Sequence, residues 1–130
     1  METASIARWR ANLRSERESA SLYRLLADTE PDEHLSEVYR RLAAVEEQHA
    51  SVWAQELEKA GQTVPAVAVS WRIRALSWIA RHLGARTILP MVSSLEIEAA
   101  DAYRDQPIAR AAGMPGQERS HARIFRVLEK

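Results

Sequence analysis

The 130-residue chain contains no cysteine. Disulfide scaffolds, cysteine nucleophiles, zinc ribbons and cysteine-held iron–sulfur clusters are therefore excluded, and any bound metal must be held by histidine and carboxylate. Charge of one sign is also missing. Lys plus Arg and Asp plus Glu number 18 each, with a pI near 6.9, which argues against a nucleic-acid binder with its usual basic excess. No apolar stretch reaches the roughly 18 uncharged residues that span a bilayer. The first residues, Met1-Glu2-Thr3-Ala4-Ser5, lack the apolar centre of a signal peptide. The expectation is a soluble, cytoplasmic chain. Glycine is scarce, at four residues against 22 alanines, and 14 of the 18 acids are glutamate. Such a composition reads as helix. The length suits one domain, 1–130, with a real core.

The few breakers divide the chain. From about Thr3 to Thr29, Ile6, Trp9, Leu13, Ala20, Tyr23 and Ala27 recur at three- and four-residue steps, one face of a long helix. Glu16 interrupts this stripe between Leu13 and Ala20. Pro31 stands where it can open the next helix. A second helix is expected from about Asp32 to Ala60, with Leu35, Val38, Leu42, Val45, Trp53 and Leu57 as its stripe, Glu46 and His49 inside it, and Gly61 as its stop. Residues 62–70 form a connection. A short amphipathic helix is expected over Trp71–Leu83. A third long helix follows over about Thr87–Asp105, with Pro90 tolerated in its first turn and Pro107 ending it. Ile108–Gly116 reads as partly helical and then broken. A fourth helix runs from near Gln117 to Lys130. The predicted architecture is all-α, a four-helix bundle with an extra short helix in the crossover between the second and third.

The chain repeats itself. Glu16-Arg17-Glu18-Ser19-Ala20-Ser21-Leu22-Tyr23-Arg24 aligns with Glu96-Ile97-Glu98-Ala99-Ala100-Asp101-Ala102-Tyr103-Arg104, both E-x-E-x-A-x-x-Y-R. The following helices each carry a Glu three residues before a His, Glu46/His49 and Glu118/His121. About 0.4 such matches are expected by chance from this composition, so two, each paired with a repeated glutamate on the preceding helix, form a strong signal. Residues equidistant from the turn of an antiparallel hairpin lie level. The midpoint of 16 and 46 is Pro31, and that of 96 and 118 is Pro107. The i,i+3 spacing puts each Glu and its His on one helix face. Four carboxylates and two imidazoles converging in a bundle interior need compensation, which two divalent metals supply. One Glu from each of two helices plus Glu-x-x-His from the other two is a di-iron or di-manganese ligand pattern. Carboxylate with imidazole suits iron or manganese, whereas calcium takes oxygen ligands only.

These motifs resemble rubrerythrin-type members of the ferritin-like superfamily, above all the ferritin-like domain fused to membrane domains of the vacuolar iron transporter type. The resemblance runs through ERESASLYR, AAVEEQHASVW, SLEIEAADAYRDQP and ERSHARIF. It implies that Glu16, Glu46, His49, Glu96, Glu118 and His121 ligate two iron ions, with manganese or zinc as substitutes. It further implies Fe2+ capture and ferroxidase-type oxidation with O2 or peroxide, in iron transport, storage or detoxification, and a homodimer. On this reading the chain is excised from a longer protein and is membrane-associated through a C-terminal domain absent from it. The alternatives are a rubrerythrin-like peroxide reductase and a non-catalytic, iron-responsive module of a transporter. Two departures stand. Rubrerythrins often place a second glutamate three residues after the third-helix ligand, where this chain has Ala99, while Glu98 and Asp101 have that spacing. Two registers are thus open on the third helix and, by the repeat, Glu18 competes with Glu16. A rubredoxin-type electron conduit is impossible without cysteine. The competing reading of Glu16 and Glu96 is solvated charge on an amphipathic helix. Glu18, Glu47 and Glu98 read as solvated or as supports of the ligands, Tyr23 and Tyr103 as core, and His34 as surface.

The segment 71–86 stands apart. No acid occurs between Glu58 and Glu96, while Arg72, Arg74, Arg81 and Arg86 are present with Trp71, Ile73, Leu76, Trp78, Ile79 and Leu83. A basic, Trp-bearing amphipathic helix suits either packing within the chain or a dimer, or contact with a membrane surface.

Overall fold

The computed structural model describes residues 2–67 and 70–129. Ala68 and Val69 of the expected connection, Met1 at the start and Lys130 at the end of the expected fourth helix lie outside the described residues. All regular structure among the described residues is helical: α1 (Glu2–Thr29), α2 (Glu33–Lys59), α3 (Trp71–Leu83), a 3-10 turn (Ala85–Ile88), α4 (Leu89–Tyr103), α5 (Pro107–Ala111) and α6 (Met114–Glu129). The chain divides into two compact units, residues 1–78 and 79–130, with the division falling within α3.

The first unit is built on α1 packed along α2. Side-chain contacts run outward from the turn, as in an antiparallel hairpin: Ser36 Oγ donates to the Ala27 carbonyl (2.7 Å) at mirrored distances from it, and farther out the long Arg24 side chain pairs with Glu47 and Arg10 donates to Gln62 Oε1 (2.6 Å). The stripe read on α1 is buried from Leu13 through Glu16, Ala20 and Tyr23 to Ala27, with Ile6 and Trp9 half-buried near its start. On α2 the buried stripe is rotated from the expected one. It keeps the expected Leu42, Glu46, His49, Trp53 and Leu57 and adds Ser36, Tyr39, Ala43 and Ala50, while Leu35, Val38 and Val45 lie half-buried on its flank. Small residues at 36, 43 and 50 leave room for the facing helix, and the larger apolar side chains close its edge.

The ends of α2 follow from local chemistry. Asp32, expected as the first helical residue, is instead the N-cap, accepting from Leu35 N at 3.1 Å. Such a cap satisfies one of the orphan amides of the first turn. Pro31 therefore precedes the cap. At the other end Gly61 has φ +75°, Gly61 N donates to the Glu58 carbonyl and Gln62 N to that of Leu57 (2.9 Å each). This is a Schellman closure, and its left-handed residue is the position glycine fills without strain.

In the second unit α4 packs along α6. Ser93 Oγ donates to the Ala122 carbonyl (3.4 Å), and the Arg86 guanidinium to that of Leu128 (3.2 Å), again mirrored about residue 107. Ile88, Leu89, Val92, Ala100, Tyr103, Met114, Ala122 and Phe125 are buried. Pro90 lies in the first turn of α4, as expected. The last helix begins earlier than its sequence suggests, at Met114 rather than near Gln117. Pro115 falls in a first turn, where no amide is needed, and Gly116 continues the helix instead of breaking it. The turn residue is Gly113, with φ +74°, whose carbonyl accepts from Gln117 N (3.2 Å).

Candidate metal centre

In the first unit Glu16 from α1 faces Glu46 and His49 from α2. All three are buried, at 2%, 0% and 4% exposure. His49 Nδ1 lies 3.4 Å from Glu16 Oε2 and 4.0 Å from Glu46 Oε2. One donor atom from each of the three lies within 4.8 Å of the other two. An ion ligated at about 2.0–2.2 Å spreads its donors by no more than about 4.4 Å, so small side-chain adjustments bring this triad onto one ion. The geometry follows from periodicity: Glu16 shares the face of Leu13, Ala20 and Tyr23, and the three-residue step from Glu46 to His49 keeps both on the buried stripe.

The second unit reproduces this set. Glu96 from α4 and Glu118 with His121 from α6 are buried, and one donor atom of each lies within 4.8 Å of the others. His121 Nδ1 lies 3.6 Å from Glu96 Oε2. Both histidines thus turn the same nitrogen toward the glutamate of the helix they pack along, α1 for His49 and α4 for His121. Because α6 starts at Met114, Glu118 is in its second turn, on hydrogen-bonded helix rather than in a frayed first turn.

The two registers differ in burial. Glu98 and Asp101 are exposed and Glu18 is half-buried, whereas Glu96 and Glu16 are enclosed. Tyr23 and Tyr103 are core residues and His34 is exposed, as expected. Glu47 is half-exposed and pairs with Arg24 across the hairpin. Sequence reasoning passed over Ser36 and Ser93, the buried serines that tie α2 to α1 and α6 to α4. A serine on an apolar stripe gives no signal of what it bonds, although each occupies the first third of its helix at a position facing the hairpin partner.

Chemically, each triad offers two carboxylates and one imidazole in a place screened from water. Carboxylate plus imidazole is a donor set for a transition-metal ion. The buried Glu/His groups can hold a metal ion; the donor set does not single out which. Among the described residues no helix is long and apolar enough to cross a membrane. Comparison with protein-family models, with curated proteins and with solved structures finds no match to this chain.

Proposed function

We propose that Glu16, Glu46, His49, Glu96, Glu118 and His121 hold two divalent metal ions, iron in the first instance, in a ferritin-like four-helix domain that captures Fe2+ and oxidises it. One observation carries this reading. Each hairpin buries a Glu from its first helix against a Glu-x-x-His from its second, with donor atoms within 4.8 Å. A helical protein gains nothing in stability from burying like carboxylates twice over, so their repetition points to function. Iron supplies one-electron redox chemistry: each Fe2+ gives up one electron, which O2 or peroxide accepts. The chain's own residues provide anionic donors that favour Fe3+ over Fe2+, fix the imidazoles, and exclude bulk water by burial.

With no cysteine for an electron conduit within these 130 residues, turnover as a peroxide reductase would require electrons from outside them, whereas oxidation of Fe2+ draws them from the metal itself. Stopped-flow absorbance on anaerobic protein loaded with Fe2+ and mixed with O2 or with peroxide tests the reading. The expected result is Fe3+ formation faster than in buffer and lost in Glu46→Ala and Glu118→Ala. Metal binding without accelerated oxidation by either oxidant would leave a non-catalytic, iron-responsive role. No metal binding would remove the iron reading altogether.

A further inference from the structure

The metal reading makes no use of α3. Its buried side is narrow, formed by Ile73, Leu76 and Ala80 at steps of three and four. The opposite side is open: Trp71 is 78% and Trp78 58% exposed, and Arg72, Arg74 and Arg81 are exposed as well. At 100° per residue the two tryptophans, seven apart, project from the same face, with Arg74 and Arg81 along one flank of it and Arg72 on the other. Val67, just ahead of the helix, is 71% exposed. From Lys59 to Leu95 the chain has no acid, so the arginines have no carboxylate of their own segment to answer them.

We infer that the exposed face of α3 is a docking surface for an anionic lipid bilayer, on which the helix lies parallel to the membrane plane. Tryptophan is the side chain that settles at the level of lipid headgroups, with its ring apolar and its N–H wet. Flanking guanidiniums pair with lipid phosphates as charge-assisted hydrogen-bond donors. The charge decides against a second copy of the chain. In a two-fold symmetric contact this patch meets itself, setting three arginines against three with no acid in either helix, whereas a negatively charged surface complements all of them. The helix's own apolar side is already buried, so the contact is peripheral, held by two indole anchors and by charge.

Flotation of the full chain with vesicles tests this. Wild-type protein is expected to float with phosphatidylcholine vesicles containing 30 mol% phosphatidylglycerol, to stay behind with pure phosphatidylcholine, and to be released by raising the salt about tenfold. Trp71→Ala/Trp78→Ala is expected to lower the bound fraction at least about fivefold and to abolish the blue shift of tryptophan emission on vesicle addition. Arg72→Glu/Arg74→Glu/Arg81→Glu is expected to abolish binding, each lost arginine costing about fivefold in affinity. All five positions are exposed, and unchanged helical circular dichroism verifies that the variants fold. Failure of wild type to float with anionic vesicles, binding that ignores lipid charge, or undiminished binding by both variants would overturn the inference. So would a sedimentation-defined dimer that Trp71→Ala/Trp78→Ala makes monomeric while no vesicle binding occurs.

Discussion

The α1/α2 hairpin and the α4/α6 hairpin carry the same three donor residues on unequal frames. The first has helices of 28 and 27 residues with the triad near their middle. It is tied sideways by Ser36 to Ala27, Arg24 to Glu47, Arg10 to Gln62 and Arg17 to the Pro65 carbonyl. The second has helices of 15 and 16 residues, and Glu118 stands one turn from the start of α6. Its ties are Ser93 to Ala122 and Arg86 to Leu128. Yet each histidine Nδ1 comes to 3.4–3.6 Å of the glutamate on the facing helix. The donor set thus needs only two antiparallel helices level at one point; length and lateral ties set how firmly that point is held.

Substitutions in the cores should perturb the frames most. Trp53 is the largest fully enclosed side chain of the first unit, and Phe125 follows only Tyr103 in the second. Truncation of either to alanine should cost about 3–5 kcal/mol in urea unfolding. If Phe125→Ala costs under about 1 kcal/mol, the α4/α6 frame lacks the packed core described for it. Next come the carboxylates. Glu46→Gln and Glu118→Gln keep the side-chain volume while each removes one anionic donor from its triad. The same variants should lose the rise in melting temperature that Mn2+ or Fe2+ gives the wild type. Variants that keep the full metal-induced rise would mean that these carboxylates are not ligands.

Smaller effects probe the start of α6. An alanine Cβ at Gly116 meets no atom within 4 Å, and its φ is not positive, so Gly116→Ala should stabilise by about 0.5–1 kcal/mol. Gly113→Ala should destabilise by about 1 kcal/mol, because φ is +74° there. Equal effects would show that α6 begins elsewhere. The smallest effect lies on the surface of α2. The Arg40 hydrogen bond holds the Glu37 carboxyl below its ordinary pKa, with burial opposing and Arg41 assisting. A depressed folded-state pKa contributes stability that is full above the unfolded pKa and fades as pH falls through the folded one. Glu37→Gln should therefore lower stability slightly at neutral pH, with the difference from wild type vanishing as pH falls through the folded pKa, and the effect is small because exposed pairs are weak.

Much of this was readable in the residues because helical periodicity is local. The α1 stripe, the interruption by Glu16, the two Glu-x-x-His steps and the stop at Gly61 all follow from spacing within one turn or two. The choice of Glu96 over Glu98 was not readable, since both fit an E-x-E step and only the rotation of α4 decides which is enclosed. The start of α6 was misjudged because Pro-Gly looks like a breaker, and only position within the first turn makes proline harmless. The rotated stripe of α2 and the Arg24–Glu47 pair depend on how two helices mesh, which the periodicity of either one alone leaves undetermined.

The central claim is that the two triads are metal sites, and counting metal tests it most directly. Protein reconstituted anaerobically with Fe2+ and freed of loose metal by desalting should retain two ions per chain. Glu46→Ala should lose metal from the first triad, and Glu118→Ala from the second. Wild-type protein that retains no metal, or variants that retain as much as wild type, would contradict the account.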